Sequence, residues 1–271
     1  MIESIAGCDA LVTGSSRGLG FGVARAFAEA GARVWMIAEV EGELDEAAEE
    51  IRTVGGEVET RTVDLTDRRA CVALAQEVRS EAPKLRVLVN NAGVLERQAV
   101  TDIDLDTWDR TIAVNLTAPM VLCRELAPGL AKTGGSIINV SSRAGTLAFA
   151  TEAAYCASKF ALEGMTRCLA LELEGAPVSV NTVTPGLRLK PTSLTRADAA
   201  AAPTSARAEW NDPVSLGPAF LFLAGLRGSV SGCRFDAQIL TQAIETHGDA
   251  DVLRRIDAFA EHVPPRVTAT P

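Results

Sequence analysis

The sequence of 271 residues predicts an α/β fold: one parallel sheet of about seven strands joined by helical crossovers. Three observations carry that expectation. Short apolar runs alternate with stretches of helical periodicity along most of the chain. The first apolar run stops at a glycine-rich turn that opens a helix. The composition, 47% hydrophobic but only 4% aromatic, suits helices packed closely on a sheet of small and β-branched residues.

Taken in order, residues 10–13 form the first apolar run. From Gly18 to Ala30, Leu19, Val23, Ala26, Phe27 and Ala30 recur at helical spacing, and Gly31 ends that helix. Residues 33–38 (RVWMIA) read as a strand. Residues 41–54 read as a helix that stops at Gly55-Gly56. A strand over 57–63 and a helix over 67–80, capped by Thr66 or Asp67, follow. Then come a buried strand at 87–89 and a long helix over 106–130, with Pro119 expected to bend it. The rest reads as strand 136–140, helix 152–174, strand 178–183, helix 212–226 and a last strand within 232–237. Residues 186–210 are the least regular and suit a substrate loop. The final thirty or so residues, about 240–271, read as a polar extension with one helix at 249–262 and a frayed end. No linker divides the chain, so residues 1–271 are expected to form one domain.

The bulk properties exclude several classes. A formal charge of -9 opposes binding to nucleic acid. No run approaches the roughly 18 apolar residues of a membrane span, and no secretory signal is visible, so a cytoplasmic protein is expected. Six scattered cysteines without a CxxC pair read as reduced thiols. With only His247 and His262 present, neither a His-rich metal site nor a serine-hydrolase triad has enough material.

Thr13-Gly-Ser-Ser-Arg-Gly-Leu-Gly20 places glycines at 14, 18 and 20, between the first strand and the first helix. Such glycines let the backbone turn sharply and approach a pyrophosphate, while the helix start offers free N–H groups to the anion. No Lys-Ser/Thr follows, so the turn is not a Walker A loop. A tight, ligand-free connection is the plainer alternative. Two further stretches favour the binding site: Asp64 after the third strand and Asn90-Asn-Ala-Gly93 after the fourth, both at strand C-termini.

Tyr155 and Lys159 stand four residues apart and stack on one helix face. A phenol titrates near pH 10, too high for acid–base work at neutral pH, and a neighbouring ammonium lowers it. Tyr155 is also the only tyrosine in the chain. Together with Asn115, Ser142 and Pro185-Gly186, these motifs resemble the short-chain dehydrogenase/reductase family, in its shorter single-domain branch, over residues 8 to 237. The resemblance implies a doubly wound, Rossmann-type parallel sheet of order 3-2-1-4-5-6-7 with helices on both faces, and NAD(P)-dependent interconversion of a secondary alcohol and a carbonyl. Ser142 would bond the substrate oxygen. Tyr155 would exchange the proton, and Lys159 would lower the tyrosine pKa and bind the cofactor ribose. Asn115 would hold a water of the proton relay, or else make an ordinary interhelical hydrogen bond. Ser141 is the residue most easily confused with Ser142, and strand alternation should send the two apart.

The resemblance lays the cofactor along Gly14, Ser16, Arg17, Gly18, Leu19 and Gly20, then Glu39, then Asp64 and Leu65. It continues past Asn91, Ala92 and Gly93 to Tyr155, Lys159, Pro185 and Gly186. NAD against NADP is set after the second strand, where the family's usual aspartate is Ala38 and its usual arginine is Glu39. Arg17 favours a 2′-phosphate and Glu39 opposes it, which leans the expectation toward NAD(H).

Where the family often has a threonine for the carboxamide this chain has Lys190, with Thr192 the nearest alternative. Arg188 and Lys190 could serve a carboxylate-bearing substrate or simply belong to a solvated loop. The partners expected are a small-molecule alcohol or carbonyl and, by resemblance, further copies of the chain in a homotetramer or homodimer. That contact would run through the helices carrying Asn115 and Tyr155. A catalytically silent, dinucleotide-binding regulatory protein is the alternative function. An epimerase or lyase acting on a nucleotide sugar would need a larger C-terminal domain.

Overall fold

The computed structural model describes residues 2–187, 189–190 and 194–261. Arg188, Thr192, His262 and the expected frayed tail lie outside the described residues.

The alternation expected from the sequence is realised as β1 (Asp9–Thr13), α1 (Gly18–Glu29), β2 (Arg33–Ala38), α2 (Glu41–Thr53), β3 (Glu57–Thr62), α3 (Arg68–Glu81) and β4 (Leu85–Asn90). There follow α4 (Leu105–Ile112), a π-helical turn (Ala113–Thr117), α5 (Ala118–Thr133), β5 (Gly135–Val140), α6 (Ala153–Glu172) and β6 (Val178–Thr184). The chain continues through α7 (Arg196–Ala201), α8 (Thr204–Arg207), α9 (Gly217–Ala224), β7 (Arg234–Asp236), α10 (Ala237–His247), α11 (Asp249–Arg254) and β8 (Ala260–Glu261).

The sheet order is β3-β2-β1-β4-β5-β6-β7-β8. β1 to β7 pair in parallel, as crossovers through helices require, while β8 runs antiparallel to β7. The expected seven-strand order is present, with an eighth strand at its edge. Strand alternation sorts side chains to the two faces. Val12, Val34 and Met36 meet Val23 and Phe27 of α1, Leu44 and Ile51 of α2, and Phe220 and Phe222 of α9. On the other face Leu11, Trp35, Ile37 and Leu88 meet Leu74 and Val78 of α3 and Leu122 and Leu126 of α5. Both faces being covered, the strands are buried apolar runs rather than amphipathic ones.

Three expectations are corrected. The helix expected over 106–130 is two helices joined by the π-helical turn, and the interruption lies there rather than at Pro119. Pro119 follows directly on that turn, where the α ladder is already broken and its missing N–H falls, and Pro128 is the proline farther inside α5. The C-terminal extension is not a polar appendage with one helix. α10 buries Leu240 and Ala243, α11 buries Val252, and β8 buries Ala260 in the core shared with α9. Its charged residues masked the short apolar spacing that docks it. The 186–210 stretch likewise holds α7, opened by a capping box between Thr195 and Asp198, and α8.

Candidate active site

Strand order reverses between β1 and β4, which opens a crevice at the strand C-termini. A cavity of about 300 Å³ lies there. It is lined by Gly14, Ser16, Arg17, Gly18, Leu19, Glu39, Asp64, Leu65, Asn91, Ala92, Gly93, Tyr155, Lys159 and Pro185, all expected at the cofactor. Gly20 and Gly186 support the wall without lining it. Ala38, Val40, Val63, Val94, Val114, Val140, Ser141, Leu187, Leu189 and Lys190 also line it. Several of these are the small apolar residues that end or follow β2, β3, β4 and β5. Their position after each strand is the signal that could have found them.

The β1–α1 turn is laced to the β4 loop. Asn91 Nδ2 donates to the carbonyls of Thr13 (2.8 Å) and Gly14 (3.1 Å), while Thr13 Oγ1 accepts from the N–H groups of Asn91 (3.0 Å) and Ala92 (3.1 Å). Gly14 has a φ of 64°, and a Cβ there would stand 2.8 Å from Ala92 Cα. Nothing lies within 4 Å of where a Gly18 Cβ would point. α1 starts at Gly18 with no side-chain cap and no acidic residue in its first turn, the arrangement an anion needs at a helix N-terminus. The residues present therefore fit a dinucleotide pyrophosphate.

At the adenosine end Glu39 is paired with Arg110 at 3.1 Å, and both are exposed. Arg17 is paired with Glu43 of α2. Asp64 lies two residues beyond the end of β3, and its Oδ1 accepts from the N–H and hydroxyl of Thr66 (2.8 and 2.7 Å). Those bonds hold its carboxyl below the usual range.

At the other end β5 stops at Val140, so Ser141 and Ser142 lie beyond the strand and its alternation does not separate them. Ser142 instead caps a 3-10 turn, accepting from the Ala144 N–H at 3.2 Å, and acts to lower the pKa of the Tyr155 phenol. Ser141 Oγ accepts from Arg234 at 3.3 Å, and of the two serines it is Ser141 that is among the residues lining the cavity. The two hydroxyls have different partners, set by the turn rather than by strand alternation.

Burial pushes the Tyr155 phenol above its ordinary value, and the Ser142 hydrogen bond opposes that shift. Lys159 Nζ lies 5.7 Å from the Tyr155 ring centroid and donates to the Val140 carbonyl at 2.8 Å. Burial pushes the ammonium down to about 8, with Glu163 opposing.

Asn115 stands in the π-helical turn and is fully buried. Its Oδ1 accepts from the Val94 N–H (2.8 Å), and its Nδ2 donates to the Val94 carbonyl (3.0 Å) and Ser158 Oγ (3.1 Å). Both amide hydrogens are thus spent on tying the β4 loop to α6. A π-helical turn displaces one residue from the helical ladder and frequently marks a functional site. Asn115→Leu is expected to cost about 1–3 kcal/mol, because it removes the partner of the part-buried Val94 N–H and carbonyl and of the buried Ser158 hydroxyl. Urea denaturation of the two proteins measures it.

Gly186 (φ 73°) turns after β6 where a Cβ would strike the Asp236 carboxylate at 2.2 Å. That carboxylate in turn caps α10 through the Ile239 N–H at 3.1 Å. Lys190 lines the cavity, and its Nζ donates to the Leu194 carbonyl at 2.5 Å. Among the described residues no cluster of His, Cys, Asp or Glu could hold a metal, and no helix is long and apolar enough to cross a membrane.

A family model described as short chain dehydrogenase matches residues 9–201. The chain belongs to that family. A 2,5-dichloro-2,5-cyclohexadiene-1,4-diol dehydrogenase from Sphingobium indicum is 35% identical over 236 residues, covering 83% of this dehydrogenase and 91% of the relative. A D-threitol dehydrogenase from Mycolicibacterium smegmatis is 36% identical over 180 residues, covering 65% and 68%. A crystal structure assigned as an NAD(P) dependent gluconate 5-dehydrogenase from Beutenbergia cavernae, holding NADP at low occupancy, superposes with a TM-score of 0.75. It is 33% identical and covers 86% of this chain and 96% of that one. The dehydrogenase is an NAD(P)-dependent oxidoreductase acting on an alcohol/carbonyl pair of a small molecule.

Proposed function

We propose that this dehydrogenase interconverts a secondary alcohol and a ketone on a polyhydroxylated small molecule, with Tyr155 as the proton-transfer group. The observation that carries this reading is that Tyr155 and Lys159 line the cavity together, with the Lys159 ammonium 5.7 Å from the Tyr155 ring centroid. The nicotinamide, when bound, supplies or accepts the hydride. Tyr155 takes the alcohol proton in oxidation and returns it in reduction. Ser142 bonds the same substrate oxygen and steadies the charge that develops on it. Lys159, once its Nζ turns from the Val140 carbonyl toward a ribose hydroxyl, adds positive charge beside the phenol. Asn115 holds the β4 loop and α6 at the spacing these groups need.

A diol, a tetritol and a sugar acid name the substrates of the three relatives, which supports a polyol or hydroxy-acid substrate here. Lys190 at the cavity wall suits a carboxylate on that substrate. For the cofactor we favour NAD(H). Arg17 is engaged by Glu43, and Glu39 would repel a 2′-phosphate at the end of β2. We place residues 1–271 in one catalytic unit, with 186–210 as its substrate loop. We also place the protein in the cytoplasm, in keeping with six free cysteines. A homotetramer or homodimer through α5 and α6 is supported by the exposed Met120 and Phe160.

Dinucleotide absorbance assays against polyols, sugar acids and their keto forms test the substrate class. No turnover on any of them, with dinucleotide still bound, would favour the silent regulatory protein. kcat/KM for NADH is expected to exceed that for NADPH by about tenfold or more, and Glu39→Arg should reverse the order by a similar factor. Preference of the native protein for NADPH would contradict the assignment.

A further inference from the structure

Arg234 of β7 and Glu163 of α6 form an ion pair whose side chains are only 7% and 4% exposed. The guanidinium donates through Nη1 to Ser141 Oγ (3.3 Å) and through Nη2 to the Ser142 carbonyl (3.0 Å), and its Nε faces Glu261 of β8 (3.1 Å). Glu163 Oε2 accepts from Thr182 Oγ1 at 2.8 Å. The 3-10 turn presses so closely on this cluster that a Cβ on Gly145 would stand 2.6 Å from Ser141 Oγ and 3.1 Å from Glu163 Oε1.

A sealed ion pair is an expensive way to fill a core, since well-packed apolar residues of similar volume hold a fold as well or better. This one touches both flanks of the candidate site. Arg234 grips the peptide of Ser142, whose hydroxyl lowers the Tyr155 pKa, and Glu163 lies one helical turn beyond Lys159. The groups facing the Lys159 ammonium are Glu163 and Tyr155 on α6, the Val140 carbonyl of β5 and, across Gly93, Asn115 of the π-helical turn. Of these only Glu163 is an acidic side chain, and its attraction opposes the burial that pushes the lysine down.

We propose that the Arg234–Glu163 pair is a positioning device, in which Arg234 sets the Ser142 peptide so that its hydroxyl meets Tyr155 and Glu163 balances the buried charge of Lys159. Both residues act through others and touch neither substrate nor dinucleotide. The proposal rests on the roles given above to Ser142, Tyr155 and Lys159.

The test compares Arg234→Lys, Glu163→Gln and the double variant Glu163→Gln/Arg234→Met, assayed with the best substrate of the panel, by melting temperature and by NADH affinity. Arg234→Lys keeps the charge pair but cannot span Ser141 and Ser142 with a planar fork. It should melt near the native protein and bind NADH within about twofold, yet lose about tenfold or more in kcat. The double variant removes both charges together, so its stability should recover relative to Glu163→Gln while kcat stays low. Glu163→Gln should move the alkaline limb of the oxidation profile to lower pH by about one unit, because Lys159 then loses its proton sooner. Native-like kcat in Arg234→Lys or in the double variant, or an unmoved limb in Glu163→Gln, would overturn the proposal and leave a purely structural pair. Failure of the underlying reading is distinguished by Tyr155→Phe, whose full activity would remove Tyr155 itself from the chemistry.

Discussion

Replacing Tyr155 with phenylalanine is expected to reduce kcat by about a hundred- to ten-thousand-fold, the usual contribution of a positioned acid–base group. The ring remains and only the hydroxyl goes. The pocket beside Lys159 therefore stays filled, and NADH affinity should change less than about threefold. The reason is local: the phenol lines the cavity beside Lys159, and no histidine lies among the residues that line it. Steady-state kinetics in both directions, with NADH binding followed by fluorescence, check the split. A loss of affinity equal to the loss of rate would mean that Tyr155 serves binding rather than proton transfer.

The second large effect is expected at Gly20, which does not touch the cavity at all. A Cβ there would stand 2.2 Å from the Gly14 carbonyl oxygen and 2.4 Å from Asn91 Nδ2. Neither can yield cheaply, because Gly14 abuts Ala92 and Asn91 is committed to the carbonyls of Thr13 and Gly14. Gly20→Ala must therefore spread the β1–α1 turn from the β4 loop. That shift moves the start of α1 away from the pyrophosphate position. Dinucleotide affinity should fall by about a hundredfold or more, alongside a stability loss of about 1–3 kcal/mol typical of overpacking. Titration calorimetry with NADH measures the first and urea denaturation the second. Native affinity in this variant would show that the turn does not hold the dinucleotide.

Much of this was legible in the chain because the signals are local. Tyr155 and Lys159 lie four apart on one helix, and the glycines at 14, 18 and 20 share one turn, so spacing alone places them. Strand and helix order followed from periodicity, and the sheet order from the family resemblance those motifs carry. What escaped depends on contacts distant in sequence. The π-helical turn at Asn115 exists because Val94 and Ser158, from two other elements, claim its side chain. Arg234, some 70 residues from Glu163, gave no sign of its partner. Ser142 reads as a strand end, yet its cap on the 3-10 turn is what aims it. The C-terminal helices were obscured by the polar residues of α10 and the charged ones of α11, although Leu240 and Val252 are wholly buried. Arg17 and Glu39 illustrate the same limit: their types were visible, but the partners that engage them, Glu43 and Arg110, were not.

Because Tyr155 is the only tyrosine in the chain, its ionisation can be followed directly by tyrosinate absorbance. Burial holds the phenol above its ordinary value in the free protein, so its midpoint there should lie above about pH 10. Positive charge on the bound oxidised dinucleotide, together with Lys159, should lower it. In the oxidation direction the phenolate is the active form, so the rate should rise with pH through that lowered value. The decisive measurement is this titration, made with and without NAD+ and set beside the pH profile of oxidation. The account predicts a midpoint at least about one unit lower with NAD+ bound, coinciding with the acid limb of the profile. A midpoint that NAD+ leaves unmoved, or an acid limb that survives unchanged in Tyr155→Phe, would contradict it.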